Sequence, residues 1–177
     1  SRMAPAQRKK ILLKWSDLID KNTLELAVLG VRDNGTEIAM ALNAEPASAA
    51  ATIRYYAELI DKVYGEIAPT ADNVLALVHR EAIGVVAAMV PWNFPLMIGA
   101  WKVAPALAMG NSVVLKPAET ASLTLLRLGE LALQAGVPPG VFNVVTGPGA
   151  VTGEALALSM DVDVMVFTGS GLTGRRL

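Results

Sequence analysis

The chain has no cysteine among its 177 residues. That excludes a disulfide framework and a thiolate metal site, and no metal-ligand cluster suggests itself elsewhere. Histidine occurs once, as His79 between Val78 and Arg80. At an expected strand end beside Arg80 and Glu81, it reads as a solvated side chain rather than a ligand or a base. Charge is scarce and balanced: charged residues make up 18%, with 15 basic against 16 acidic side chains. Such a surface offers no electrostatic footprint for a nucleic acid or an anionic membrane. The first residues, Ser-Arg-Met-Ala-Pro, hold no apolar signal segment, so the cytoplasm is the expected compartment. Internal repeats and low-complexity tracts are absent as well.

Apolar residues are what the chain has in quantity. They make up 53% of it, more than in an average soluble domain. This length suits one domain with a sizeable core, and the excess predicts apolar surface to be covered by a further segment. Ala82–Trp101 is a run of twenty residues without a charge, the length of a membrane span. Yet Pro91, Asn93 and Pro95 sit within it, and an unpaired polar turn is costly in lipid. A strand, a turn and the start of a buried helix explain it better.

Before that run the periodicity is helical. Ile11, Trp15, Leu18 and Ile19 form one apolar stripe, predicting a helix from Pro5 to near Gly30. A turn and a short helix are expected over 32–44, then a second long helix from Pro46 to Tyr64, stopped by Gly65. From Val74 the pattern changes to β-like segments at 74–79 and 83–90. Helices at 96–109, 122–135 and 150–159 then alternate with strands at 112–115, 141–145 and 162–167. Short continuous apolar strands between helices predict an α/β fold, a parallel sheet with helices on both faces. Residues 1–73 read as a helical lead-in and 74–177 as the sheet core. Pro105 is expected to kink or break the helix it sits in.

Each strand of this series runs into a distinctive loop. Val90-Pro91-Trp92-Asn93-Phe94-Pro95 follows the first. Its two prolines stop the strand and hold Asn93 on a stiff loop, where a neutral donor suits an oxygen that becomes negative during reaction. Taken alone, the hexapeptide could equally be an ordinary loop with a self-bonding Asn. Lys116-Pro117-Ala118-Glu119 closes the next strand and can reach a diol from both ends, or else form a surface salt bridge. Gly147-Pro148-Gly149 with Gly153 follows the third strand, fit either for close backbone approach or for a turn and a packing glycine. Phe167-Thr168-Gly169-Ser170 ends the fourth. Gly169 to Gly174 formally matches G-x-G-x-x-G, a weak signal alone, and it falls after the fourth strand of the series rather than the first.

In order and spacing these motifs resemble the cofactor-binding half of the aldehyde dehydrogenase superfamily, from about Pro5 to the last residue and most specifically between Val90 and Arg175. The resemblance implies a Rossmann-like sheet and NAD as cofactor. It implies Asn93 as the catalytic oxyanion donor, with Val90 and Trp92 beside the cofactor. Lys116 and Glu119 would hold the adenosine ribose, and Gly149 and Gly153 would admit the adenine end. Phe167, Gly169, Ser170, Thr173 and Gly174 would face the pyrophosphate, at the free N–H groups of a helix start. A carboxylate at Glu119 accepts from a 2′-hydroxyl and repels a 2′-phosphate, so NAD is preferred to NADP.

The helix Tyr55–Glu66 is similar to the branch acting on γ-glutamyl-γ-aminobutyraldehyde and related aminoaldehydes, which points to an aldehyde substrate, in that branch an aminoaldehyde. The superfamily attacks its aldehyde with a cysteine thiolate and uses a glutamate base from a region beyond this chain. The chain therefore reads as a truncated fragment of a larger, homo-oligomeric enzyme, inactive alone. The alternative is a non-catalytic nucleotide-binding module. Asn34-Gly35-Thr36-Glu37 departs from the Thr-Gly-Lys common in relatives, with no consequence for the catalytic residues.

Overall fold

The structure, a computed structural model, describes residues 3–177. Helix α1 spans Pro5–Lys21 and α2 spans Thr23–Asn34, where one continuous helix was expected. The break at Asn22 has a local cause. The Asn22 side chain donates to the Leu18 carbonyl at 2.7 Å and the Thr23 hydroxyl to the Asp20 carbonyl at 2.8 Å. Both bonds compete with the helix ladder. Helix α3 (Ile38–Asn43) is the expected short helix, and α4 runs from Glu45 to Leu59.

Gly65 does not stop α4. A turn at Ile60–Lys62 does, with Lys62 Nζ on the Glu58 carbonyl at 2.6 Å, a cation satisfying a terminal carbonyl. Gly65 instead lies where a Cβ would come within 2.5 Å of the Val78 carbonyl oxygen. It opens a strand that the periodicity missed, β1 (Glu66–Ala68), paired antiparallel with β2 (Ala76–Val78). The segment 74–79 thus holds a strand, but outside the main sheet.

The parallel sheet starts at β3 (Val85–Met89) and continues through β4 (Ser112–Lys116), β5 (Phe142–Val144) and β6 (Val164–Phe167), in the order β5-β4-β3-β6. Helix α5 (Pro95–Ala108) joins β3 to β4, and α6 (Leu123–Ala135) joins β4 to β5. Helix α5 continues through Pro105 to its end, so the expected break does not occur. The 150–159 helix is a π-helical turn (Gly149–Gly153) followed by α7 (Glu154–Leu158), and α8 is a single turn at Gly171–Gly174.

Alternation along the strands sends Val86, Ala88, Val113, Leu115 and Phe142 into one core with α5 and α6. Leu12, Trp15 and Ile19 of α1 and Ile53 and Ala57 of α4 belong to the same cluster. Trp15 anchors the lead-in: its ring lies 5.6 Å from that of Phe142, and its indole N–H donates to the Leu128 carbonyl at 3.2 Å. The opposite face is covered more thinly, by the π-turn, whose Gly153 is backed by Met89. No helix among the described residues is long and apolar enough to cross a membrane. The uncharged run is the strand, turn and helix start expected of it.

Candidate functional site

The strand order reverses next to β3. From β3 the chain steps to β4 and β5 on one side, and β6 returns to the other. Open α/β sheets take ligands in the crevice at the carboxyl ends of strands flanking such a reversal. Here Met89 pairs with Phe167, and Thr168 N–H donates to the Met89 carbonyl at 3.1 Å. The loops carrying Asn93 and Ser170 therefore leave the sheet side by side.

Asn93 is exposed on its loop, as is Trp92. Val90 is 5% exposed and its side chain belongs to the core, so only its backbone can face a ligand. After Asn93 the backbone turns through Phe94 at φ 52° and ψ 48°, the one positive φ at a non-glycine among the described residues. Left-handed backbone at a bulky residue stores strain of about 1–3 kcal/mol and persists only where the surroundings impose it. Several contacts impose it here. The Phe94 ring packs on the core, Ile98 N–H donates to its carbonyl at 3.0 Å, and Pro95 is buried as the first residue of α5.

One strand over, Lys116 is the last residue of β4 and only 5% exposed, yet it forms no ion pair with a described residue. The salt bridge to Glu119 that the pair could have made is absent from the described residues. Glu119 Oε1 instead accepts from Gly149 N–H at 2.6 Å. That bond, one from its own amide and the charge of Lys116 hold the Glu119 carboxyl below the usual carboxylate range. The loops after β4 and β5 are thus tied together. The Lys116 side chain, largely buried yet in no ion pair with a described residue, and the ionised Glu119 carboxylate suit a ribose diol, which can accept from one and donate to the other. Gly149 and Gly153 have room on the protein side. A Cβ would lie 3.9 Å from Glu119 Oε1 at the first and 3.5 Å from Met89 Sδ at the second, both ordinary contacts.

Past β6 the glycines have a different reason. A Cβ on Gly169 would run into the Phe167 ring, and one on Gly174 would come within 3.3 Å of it. Both glycines make room for Phe167. Ser170 caps α8: its Oγ accepts from Thr173 N–H at 3.2 Å and lies 2.9 Å from the Thr173 hydroxyl. The first N–H groups of the turn, at Gly171 and Leu172, keep no intrahelical acceptor.

Two further residues hold this edge and had no motif to announce them. Asn34 Nδ2 donates to the Trp92 carbonyl at 2.9 Å, and Leu96 N–H donates to Glu45 Oε2 at 3.1 Å. Burial pushes the Glu45 carboxyl above its ordinary value, while the amides of Met97 and Leu96 pull it back. The one signal in the sequence was indirect: α5 begins Phe94-Pro95, with no capping side chain at its start, so a cap had to come from elsewhere.

A doubly wound sheet with polar groups gathered at its switch point is the architecture of nucleotide-binding α/β proteins. Comparison with known proteins narrows this class. The sequence pattern of the aldehyde dehydrogenase family matches residues 1–177, and the chain belongs to that family. It is 51% identical over 174 residues to the NADP/NAD-dependent aldehyde dehydrogenase PuuC of Escherichia coli K12, a match covering 98% of this chain and 35% of PuuC. The crystal structure of an indole-3-acetaldehyde dehydrogenase with NAD+ superposes with a TM-score of 0.98 at 49% identity, over 99% of this chain and 36% of that one. The γ-glutamyl-γ-aminobutyraldehyde dehydrogenase of Burkholderia cenocepacia J2315 superposes at 0.96 and 48%, over 98% and 35%. The chain spans about a third of the length of the relatives it matches.

Proposed function

We propose that the whole protein carrying this chain oxidises an aldehyde to its carboxylic acid with NAD. The observation that carries this reading is the convergence at one sheet edge of an exposed Asn93 on an over-determined loop, the Lys116–Glu119 pair and the Ser170-capped turn. In this reading the Asn93 amide donates to the aldehyde oxygen as attack on the carbonyl makes it an oxyanion. Lys116 donates to the ribose, and Glu119 accepts from its 2′-hydroxyl. Trp92 and the Val90 backbone border the nicotinamide end, Gly149 and Gly153 admit the adenine, and Phe167, Gly169 and Gly174 shape the turn whose free N–H groups, with Ser170 and Thr173, meet the pyrophosphate. When bound, the nicotinamide accepts hydride from the substrate carbon.

The substrate class is an aminoaldehyde, supported by the similarity to the Burkholderia enzyme and by the sequence of the stretch Tyr55–Glu66. A cytoplasmic homo-oligomer completes the proposal. Its support is the β1–β2 ribbon, where Ile67 and Leu77 are paired in register and 74% and 67% exposed, an apolar strip suited to burial by a second copy. Light scattering on the whole protein reads that assembly.

In this reading the nucleophile is a cysteine, of which these 177 residues have none, and the base a glutamate that they do not supply. The test is therefore paired. The whole protein should form NADH from NAD and an aminoaldehyde, and the 177-residue chain alone should form none. Turnover by the short chain would overturn the division of roles. Nucleotide binding without turnover by the whole protein would make it a binding module.

A further inference from the structure

The lead-in helices touch the loop of Asn93 at two points, one on each side. Upstream, Asn34, the last residue of α2, donates to the Trp92 carbonyl at 2.9 Å. Its Oδ1 accepts from the amide and the hydroxyl of Thr36 at 3.0 and 2.6 Å, so both ends of the side chain are fixed. Downstream, Glu45 opens α4 and is 4% exposed, with its Oε2 on Leu96 N–H at 3.1 Å and the Met97 amide directed to the same carboxylate. Between these grips lie Asn93 and the left-handed Phe94. Helix α5 has no side-chain cap of its own. A buried carboxylate is a costly way to satisfy helix amides that a Ser, Thr or Asp at the helix start would satisfy in water. What the remote carboxylate adds is direction: it fixes where α5 begins relative to the lead-in, and hence how the residue before the strained turn is aimed.

We propose that Glu45 is a positioning residue for Asn93, its carboxylate locking the start of α5 and the left-handed turn at Phe94, with Asn34 holding the other side of the same loop. This rests on the reading of Asn93 as oxyanion donor. Misplacing a catalytic group by about 1 Å can cost about 10²-fold in rate, so a loosened loop should cost a large part of what Asn93 supplies. Binding of the adenosine half, held by Lys116 and Glu119, should be untouched.

The experiment is a double-mutant cycle in the full-length dehydrogenase, reading the rate of the chemical step, the Kd for NAD and amide hydrogen exchange over residues 90–98. Glu45→Ala should slow the chemical step by about tenfold or more and leave the Kd within about twofold. The amides of Leu96 and Met97 should exchange faster. Glu45→Gln keeps an acceptor oxygen and should restore most of the rate and the protection. In an Asn93→Ala background, Glu45→Ala should cost less than about twofold more, because residues acting as a unit are not additive. A Glu45→Ala loss that multiplies with that of a slow Asn93→Ala enzyme overturns the positioning role alone. An Asn93→Ala enzyme with an unaltered chemical step overturns the oxyanion reading as well. If Glu45→Ala does not fold, Asn34→Ala runs the same cycle, and a loss that multiplies with that of Asn93→Ala overturns the proposal equally.

Discussion

Two carboxylates at the sheet edge are shifted in opposite directions, and each shift has a consequence. Glu119 is held low by the Gly149 amide, its own amide and the charge of Lys116, so it is ionised at neutral pH, and in the proposed ribose position it would repel a 2′-phosphate. We expect the whole protein to favour NAD over NADP by about tenfold in kcat/KM, about 1.4 kcal/mol, a modest figure because Glu119 is exposed to screening solvent. Glu119→Gln should narrow that ratio chiefly by improving NADP. Equal use of both cofactors by the unaltered protein, or a mutant in which only NAD changes, would remove Glu119 from the ribose. Glu45 is held high by burial. A carboxyl whose folded value lies above its unfolded one contributes stability that is full below the unfolded value and lost as pH rises through the folded value. The melting temperature of Glu45→Gln, relative to the unaltered protein, should therefore climb as pH rises from about 4 to about 8. A difference flat across that range would mean that Glu45 is not buried as a charge.

At the scale of elements, local pattern and local chemistry diverge in instructive places. Phe167 and its glycines make a packing unit at the end of β6. Gly169→Ala should lower stability by about 1–3 kcal/mol through overpacking, read as a lower melting temperature. Phe167→Leu in the same chain should recover part of it, and a Gly169→Ala protein as stable as its parent would show that the ring is free to move aside. The alternation of β3 to β6 with helices was legible because buried parallel strands are continuously apolar, and that pattern survives without tertiary information. The break at Asn22 was not, since Leu18 and Ile19 continue the stripe and only side-chain bonding to the backbone ends the helix. Strand β1 was hidden because Glu66-Ile67-Ala68 is too short to show a period. The loops bearing Asn93, Lys116, Glu119 and Ser170 were legible as motifs. Their supports, Glu45 and Asn34, were not, because both act on residues distant in sequence.

For the molecule as a whole, the apolar excess has a visible address. Leu75, Leu77 and Ile67 on the ribbon, Trp101 on α5 and Leu172 on α8 are all more than half exposed. Apolar surface on this scale suits burial against other protein. In the proposed reading the chain holds a cofactor cradle and one donor to the reacting oxygen, and that pairing is what a single substitution can test. Replacing Asn93 by Ala in the full-length enzyme, with pre-steady-state bursts measured so that chemistry is seen directly, tests it. The rate of the chemical step should fall by about 10²–10³ while the Kd for NAD barely moves, as for the loss of one oxyanion donor. An unchanged chemical step, or a loss confined to NAD binding, would contradict it.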